Sequence, residues 1–220
     1  MQTIVITGAN RGIGLEFCRQ YQETGQRVIG VCRSSSDALN QLGVEVIEGI
    51  DVTSADSVNS LKEKIREDRI DVLINNAGIL LFDGFPDLEF DKLLKHYDVN
   101  TLGPLRVTMA LLDRLKSGSK LILITSRVGS LADNSSSGNY GYRMSKTALN
   151  MAGLNLSMDL KERGIPVALL HPGYVQTDMT RGGGLIDTDE SVRGMRTLIE
   201  NLNLENSGAF LHTNGDALAW

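Results

Sequence analysis

A tyrosine and a lysine four residues apart are the side chains in this sequence best suited to chemistry. Tyr142 and Lys146 lie in a stretch, 140–163, with the pattern of one long helix, so they share a helical face one turn apart. A nearby ammonium group favours the phenolate and is expected to lower the pKa of Tyr142 from its usual value of about 10. Such a tyrosine can give a proton to a carbonyl oxygen or take one from an alcohol. Ordinary amphipathic helices carry the same spacing, so the pair needs support from the rest of the chain.

The composition predicts a globular protein in which one domain spans residues 1–220. Hydrophobic residues make up 41% and charged residues 22%, which is enough apolar material for a full core. A net charge of −5 without a dense basic cluster argues against nucleic acid or an anionic membrane as the main partner. Cys18 and Cys32 have no metal-ligand spacing, so we expect no metal site and reduced thiols.

No stretch of the sequence has the pattern of a secretory signal or of a membrane span. The chain enters an apolar strand almost at once, without a basic segment and a long apolar run before it. No apolar run approaches the roughly 18 residues that a membrane span needs. A cytoplasmic location is therefore expected.

Short apolar runs alternate with longer amphipathic segments along the whole chain. This alternation predicts right-handed βαβ crossovers and an α/β fold: a doubly wound parallel sheet (Rossmann fold) of seven strands, with helices on both faces. The predicted strands are 3–7, 27–31, 44–48, 72–74, 120–125, 167–170 and 209–211. The predicted helices are 12–24, one that begins at 54, 90–97, 102–115 and 140–163.

A glycine-rich turn joins the first strand to the first helix, with Gly8, Gly12 and Gly14 as its glycines. Glycines let the backbone approach a pyrophosphate closely, and the helix N-terminus offers free N–H groups and a positive dipole end. Three residues separate the first two glycines, unlike the usual dinucleotide fingerprint, and no Lys-Ser/Thr follows as in a nucleotide-triphosphate loop. The position after the first strand favours a dinucleotide site over glycines that serve shape alone.

The end of the second strand indicates which dinucleotide binds. An acidic residue there would bond the ribose 2′-hydroxyl of NAD, whereas an arginine accommodates the 2′-phosphate of NADP. The strand ends in Val31-Cys32-Arg33 without an acid, and Arg11 can reach in from the glycine turn. Two cations favour NADP(H), with the alternative that Arg33 is an ordinary surface residue.

Several further motifs follow in order and carry a resemblance. They are Asn75-Asn76-Ala77-Gly78, Val99-Asn100, Thr125-Ser126-Arg127-Val128-Gly129, Tyr142 to Lys146, and Pro172-Gly173. Together with the glycine turn they resemble the short-chain dehydrogenase/reductase family over nearly the whole chain. Leu170-His171-Pro172-Gly173 and Val175-Gln176-Thr177-Asp178-Met179 resemble a narrower branch, the C-factor-like and sniffer-like carbonyl reductases.

The resemblance implies four catalytic residues. Tyr142 would be the general acid/base, and Lys146 would hold the nicotinamide ribose and lower the pKa of Tyr142. Ser126 would hydrogen-bond the substrate carbonyl, and Asn100 would fix a water that links Lys146 to solvent. Ser130 could replace Ser126, but Ser126 lies at the end of the fifth strand, where open α/β sheets place their ligands.

The resemblance also implies a set of cofactor contacts. Asn76 would lie along the adenosine ribose, Asp51 and Val52 would flank the adenine, and Thr177 would bond the nicotinamide carboxamide. The full expected set is Gly8, Asn10, Arg11, Gly12, Ile13, Gly14, Arg33, Asp51, Val52, Asn76, Ala77, Gly78, Tyr142, Lys146, Pro172, Gly173, Val175 and Thr177.

Other polar residues receive structural interpretations. Asn75 is expected to hold strands four and five together, and His171 to pack or orient beside the nicotinamide. His96 and His212 have no predicted role. Sixteen positions separate Ser126 from Tyr142, a few more than is usual in the family, so the segment 135–138 is expected to bulge out.

The expected activity is NADPH-dependent reduction of an aldehyde, ketone or quinone-like carbonyl, with Tyr142 as the acid. The alternatives are an NAD-dependent alcohol dehydrogenase and an NADP(H)-binding signalling or regulatory protein. A short, glycine-rich stretch after Asp178 predicts an open site with broad tolerance. The resemblance further implies a homodimer or homotetramer.

Overall fold

A computed structural model describes all 220 residues and contains one parallel sheet of seven strands. The strand order is β3-β2-β1-β4-β5-β6-β7, which confirms the predicted doubly wound sheet. The strands are β1 (Thr3–Thr7), β2 (Arg27–Val31), β3 (Glu45–Ile47), β4 (Ile70–Asn75), β5 (Leu115–Ile124), β6 (Val167–His171) and β7 (Ala209–His212). The helices are α1 (Gly12–Glu23), α2 (Asp37–Gln41), α3 (Ala55–Lys64), α4 (Phe90–Tyr97), α5 (Gly103–Leu111), α6 (Tyr140–Asp159) and α7 (Thr188–Asn201).

The central strands are apolar on both faces because helices cover the sheet from both sides. In β1, Ile4 and Ile6 pack with α1 and α7, whereas Val5 between them packs with α3, α5 and α6. Successive side chains of a strand point to opposite faces, so each strand feeds two cores. The near-continuous apolar runs in the sequence follow from this double burial.

The sheet brings several loops together at one edge. Strand order reverses beside β1, which lies between β2 and β4. In a parallel sheet of this type, ligands bind at the carboxyl ends of the strands near that reversal. The glycine turn after β1 therefore shares this edge with the loops that follow β4, β5 and β6.

Several predicted element ends were wrong. The helix predicted over 140–163 ends at Asp159, because the chain turns over the next residues and Gly164 adopts a φ of +70°. The helix predicted to reach residue 115 ends at Leu111, and a 3₁₀ turn, Leu112–Arg114, follows. The predicted strand 120–125 begins earlier, because Leu115 already pairs with Ile70.

Helices α4 and α5 are joined by a π-helical segment, Asp98–Leu102, in place of the predicted break. Short π-helical turns are uncommon and often occur at functional sites. Here the segment contains Asn100. Separately, no helix of the protein is long and apolar enough to cross a membrane.

Candidate active site

The loop after β5 places Ser126 against the first turns of α6. This loop and the helix approach closely, since a Cβ added to Gly129 would lie 2.8 Å from the backbone carbon of Lys146. Ser126 is buried at 8% exposure, and its hydroxyl accepts a hydrogen bond from the Val128 N–H. The same hydroxyl lies close enough to the phenol of Tyr142 to lower its pKa. Ser126 and Tyr142 therefore converge at the carboxyl end of β5.

The phenol of Tyr142 is held in its neutral form by its surroundings. Burial raises the pKa of Tyr142 to about 12, and the contact with Ser126 acts in the opposite direction and lowers it. The expectation that Lys146 lowers the pKa of Tyr142 was wrong for this structure. The ammonium group lies 5.7 Å from the centroid of the Tyr142 ring, and the loss of water around the phenol dominates.

Lys146 is itself buried and anchored to the sheet. Its side chain is 4% exposed, and Nζ donates a 2.8 Å hydrogen bond to the carbonyl of Ile124 at the end of β5. Burial lowers the pKa of Lys146 to about 8. An amine with this pKa titrates near physiological pH and can give up or take back a proton at little cost.

Asn100 links the loop after β4 to α6. Its Oδ1 accepts from the Ile79 N–H at 2.8 Å, and its Nδ2 donates to the Ile79 carbonyl and to the Ser145 hydroxyl. Gly78 lies next to it: a Cβ there would be 3.3 Å from Asn100 Oδ1 and 3.8 Å from Lys146 Nζ. The π-helical segment thus places Asn100 next to Gly78, and Gly78 is also close to Lys146 of α6.

His96, for which the sequence predicts no role, packs directly beside Tyr142. The two rings meet edge to face with centroids 6.2 Å apart, and His96 is fully buried. Its Nδ1 donates to the Lys92 carbonyl, and its Nε2 accepts from the Leu81 N–H. Burial lowers the pKa of His96, which preserves this neutral arrangement. His96 precedes Asn100 by four residues, a helical spacing that could have signalled it.

Asp83 holds the start of α6 although it lies far away in sequence. Its carboxylate accepts from the Tyr140 N–H and, at 3.1 Å, from the Gly141 N–H, while its carbonyl accepts from the Asn139 N–H. Asn139 adopts a left-handed conformation and supplies no side-chain cap. Asp83 therefore takes the place of a local cap two residues before Tyr142. No sequence pattern points to this contact, because it spans 57 residues.

The glycine turn has the shape of a phosphate cradle. Gly8 has a φ of +67°, and a Cβ at Gly14 would lie 2.1 Å from the Gly8 carbonyl oxygen, so neither position accommodates a larger residue. Helix α1 begins without a side-chain cap and without an acidic residue in its first turn. Its free N–H groups and positive dipole end are thus available to an anion. Asn10, Ile13 and Gly12 complete the turn.

Arg11 and Arg33 have different carboxylate neighbours. Arg11 Nη1 is 3.3 Å from a carboxylate oxygen of Asp178, and both side chains are exposed. Arg33 is exposed after β2 and is close enough to Asp51 to contribute to a lowered pKa of that carboxyl, for which the hydrogen bond from the Thr53 backbone is the larger cause.

The residues around the turn from β4 pack against the glycine turn. Asn76 Nδ2 donates to the carbonyls of Thr7 and Gly8, and the Thr7 hydroxyl accepts from the N–H groups of Asn76 and Ala77. The Asn75 amide reaches Thr108 of α5 at 3.1 Å rather than β5, so its predicted role between strands was wrong. Val52, from the turn after β3, is buried at 9% and lies against Gly103.

The chain after β6 forms a cover segment, residues 174–187. It follows Pro172 and Gly173, and its two ends pair: the Gln176 N–H donates to the Ile186 carbonyl, and Val175 bridges Ile186. Inside it, Thr177 and Thr180 cap a short turn reciprocally. The Thr177 methyl group lies near the glycine turn, 3.5 Å from where a Gly12 Cβ would be.

Three further residues have clear positions. Ser130 is buried, and its hydroxyl accepts from the Asp133 N–H away from Tyr142, which leaves Ser126 as the serine next to the phenol. His171 packs edge to face on His212 at 5.1 Å, and its buried Nδ1 has no hydrogen-bond partner. Burial is the main cause that lowers the pKa of His171 to about 3. The neighbouring charges of His212, Arg127 and Lys146 lower it further.

The expected bulge before α6 folds back on that helix. Arg143 donates to the Gly138 carbonyl, to Asn134 and to Ser136, which fastens the segment to the helix surface. A cavity of about 500 Å³ opens between them. Its lining contains neither Ser126, Tyr142 nor Lys146, so the bulge shapes a surface that is separate from the predicted catalytic residues.

Comparison with known proteins identifies the chain's relatives. It is 39% identical over 226 residues to 1-hydroxy-2-glutathionyl-2-methyl-3-butene dehydrogenase of Rhodococcus sp. (strain AD45), with both chains fully covered. It is 46% identical over 154 residues to C-signal of Myxococcus xanthus, which covers 69% of this chain and 93% of that protein. The NADPH-bound carbonyl reductase from chicken fatty liver has a TM-score of 0.90 and 33% identity, and the alignment covers 100% and 99% of the two chains.

These findings confirm the resemblance, including its branch, because a C-signal protein and a carbonyl reductase are both among the similar proteins. The family model for short chain dehydrogenases matches residues 2–184, most of the sequence. The protein is therefore an oxidoreductase that belongs to the short chain dehydrogenase family.

Proposed function

We propose that this protein reduces carbonyl compounds to alcohols with NADPH, with Tyr142 as the proton donor. One observation carries the proposal: the hydroxyls of Ser126 and Tyr142 meet at the carboxyl end of β5, with Lys146 anchored behind them. Two convergent O–H groups can bind one carbonyl oxygen and stabilise the negative charge that develops on it.

The residues at the strand ends fit a dinucleotide. The cradle at Gly8 and Gly14, with the uncapped start of α1, suits a pyrophosphate. When bound, the nicotinamide supplies the hydride. Asn10, Gly12 and Ile13 belong to the same cradle. The other proposed contacts line the crevice from the adenine side to the nicotinamide side: Arg11, Arg33, Asp51, Val52, Asn76, Ala77, Gly78, Tyr142, Lys146, Pro172, Gly173, Val175 and Thr177.

The preference for NADPH over NADH rests on charge. No acidic residue follows β2 directly, Arg33 follows it instead, and Arg11 lies in the glycine turn. The pairing of Arg11 with Asp178 is exposed and therefore weak, so a phosphate can compete for this guanidinium. The chicken relative binds NADPH, which agrees with this preference.

Each catalytic residue has a proposed task. Tyr142, kept neutral by burial, gives its proton to the carbonyl oxygen as the hydride arrives at carbon. Ser126 donates to the same oxygen and orients it. Lys146 holds the ribose and returns a proton to Tyr142, and Asn100 connects Lys146 to solvent through a water. These tasks leave the atoms in balance: one hydride and one proton convert the carbonyl to an alcohol.

A second candidate is oxidation of an alcohol by the same residues in reverse. The Rhodococcus relative is named as a dehydrogenase, which favours this direction for at least one similar protein. Tyr142 would then act as the base, and its raised pKa makes that step slow at neutral pH. We therefore propose reduction as the main direction.

The test follows NADPH oxidation by absorbance with a panel of aldehydes, diketones, quinones and cyclic ketones, with NADH in parallel. We expect turnover with NADPH and weaker turnover with NADH. In Tyr142→Phe, kcat should fall by roughly 10²- to 10⁴-fold, because that is the usual contribution of a positioned acid.

Tyr140→Phe is the matched control, because Tyr140 is two residues away and has Met144 rather than a lysine four positions later. It should retain activity. Tight NADPH binding without turnover on any compound would contradict the reductase and favour a binding or signalling protein. Equal loss of activity in both variants would contradict the role of Tyr142.

A further inference from the structure

The loops after β4 and β6 touch each other across the end of β5. The guanidinium carbon of Arg181, in the cover segment, lies 4.3 Å from the centroid of the Phe82 ring. Because β5 lies between β4 and β6 in the sheet, this contact passes over the strand end that is followed by Ser126. Phe82 also adjoins Asp83, whose carboxylate holds α6 just before Tyr142. Arg181 and Phe82 thus belong to loops that leave the sheet on either side of the strand end that Ser126 follows.

Arg181 is a cation without an acidic partner in this contact between the two loops. Arg11 is paired with Asp178, and Arg127 with Asp133, whereas Arg181 makes neither a salt bridge nor a side-chain hydrogen bond. Stacking on Phe82 uses one face of the guanidinium plane. The N–H groups along its edge remain available, and their geometry matches the two oxygens of a carboxylate or of a phosphate.

We propose that Arg181 binds an anionic group of the substrate and so determines its class. The substrate is a carbonyl compound with an apolar body and a carboxylate-like anion at the far end. Phe82, Tyr174 and Leu185 are 47%, 54% and 85% exposed in the same two loops and supply apolar surface for that body. This inference rests on the proposed carbonyl reduction and adds the charge of the substrate to it.

The proposal is tested with two aldehydes that differ in charge, 4-carboxybenzaldehyde and its neutral methyl ester. Both place an electron-withdrawing carbonyl opposite the aldehyde, so their intrinsic reactivities are similar. With NADPH, the wild-type protein should turn over the carboxylate with a kcat/KM at least about tenfold above that of the ester, as expected for a hydrogen bond to a charged group. Arg181→Gln should abolish this preference and leave the ester rate within about twofold.

Two controls separate a local contact from a general effect of charge. Arg193→Gln makes the same charge change on an exposed side chain of α7 and should leave the preference intact. Arg181→Lys keeps the charge without the planar fork and should retain part of the preference. High salt, about 0.5 M, should reduce the preference because the site is exposed.

A binding measurement makes the outcome independent of turnover. Calorimetry with NADP⁺ bound should show that the carboxylate binds about tenfold more weakly to Arg181→Gln than to the wild type. If neither aldehyde is turned over but this difference is found, carbonyl reduction is wrong for these compounds and the assignment of Arg181 stands. Equal affinities of both aldehydes for both proteins would overturn the assignment, whatever the turnover.

Discussion

At the scale of single residues, burial controls the protonation of the proposed catalytic pair. The same loss of water raises the pKa of Tyr142 to about 12 and lowers the pKa of Lys146 to about 8. Both shifts favour the neutral forms, so the Tyr142 phenol holds its proton more tightly than the Lys146 ammonium does. Transfer of a proton from the Lys146 ammonium to a Tyr142 phenolate, directly or through the cofactor ribose, is therefore favourable.

This protonation state predicts different pH dependences for the two directions of the reaction. Reduction needs the phenol, which persists well below its raised pKa, so kcat/KM for a neutral aldehyde should vary little between about pH 6 and about pH 7.5. Oxidation needs the phenolate, whose fraction rises about tenfold per pH unit in the same range. Steady-state rates in both directions at saturating cofactor check this. A steep fall in the reduction rate over this range would contradict a neutral Tyr142.

The sequence predicted which residues meet but not how their surroundings act on them. The spacing of Tyr142 and Lys146 follows from helix geometry, and the position of Ser126 follows from the end of a strand. The pKa shifts depend on how completely other segments exclude water, which local spacing does not encode. His96 was missed for the same reason, since its contact with Tyr142 exists only after α4 packs on α6.

At the scale of elements, the loop after β4 governs the start of α6. Asp83 accepts hydrogen bonds from two N–H groups there, and a carboxylate also interacts favourably with the positive end of a helix. Gly141 leaves room for this contact, because a Cβ there would lie 2.5 Å from His96 Nδ1 and 3.1 Å from Asp83 Oδ2. The geometry around Tyr142 therefore depends on a residue of another element.

Asp83→Ala should lower the free energy of unfolding by roughly 1 kcal/mol, the usual cost of losing a helix cap, and reduce kcat more than it raises KM. Asp83→Asn should recover part of both, because one amide oxygen can still accept. Urea denaturation and steady-state kinetics check these effects. Asp87→Ala, on an exposed carboxylate of the same loop, is the control and should change neither quantity. Equal effects of the two alanine variants would contradict the capping role.

At the scale of the whole molecule, the fold was predictable and its loop contacts were not. Apolar runs that alternate with amphipathic segments define the order of strands and helices, and parallel strands buried on both faces leave little choice of topology. The misplaced ends of α5, β5 and α6 lie at turns set by tertiary pairing. The contact between Arg181 and Phe82 joins segments a hundred residues apart, so periodicity carries no sign of it.

Because burial holds His96 and His171 in neutral form, we expect the free energy of unfolding of the whole protein to fall in acid. The pKa of His171 is lowered to about 3 and that of His96 is lowered too, so below about pH 6.5 the unfolded chain binds more protons than the folded one. Their contribution to the free energy of unfolding is therefore complete above about pH 6.5. It is lost as the pH falls towards the pKa values of the folded protein, by at most about 1.4 kcal/mol per pH unit and per histidine. His212, Arg127 and Lys146 are the neighbours that hold His171 neutral, after burial itself.

His171→Asn should flatten this dependence, because asparagine does not titrate. Urea denaturation of both proteins at about pH 7 and about pH 5 measures the difference. We expect the variant to lose less stability between the two pH values than the wild type does. An identical loss would show that other groups set the acid sensitivity.

The remote cap of α6 has a consequence for how the protein folds. A helix with a local cap can begin to form as soon as its own residues are available, but the first turn of α6 has no such signal and depends on residue 83. The end of this helix that carries Tyr142 is thus expected to fray in a partly folded chain, while its far end can already pack on the sheet. Tyr142 would reach its working position only in the last stage of folding, so activity should report on completion of the fold more strictly than helix content does.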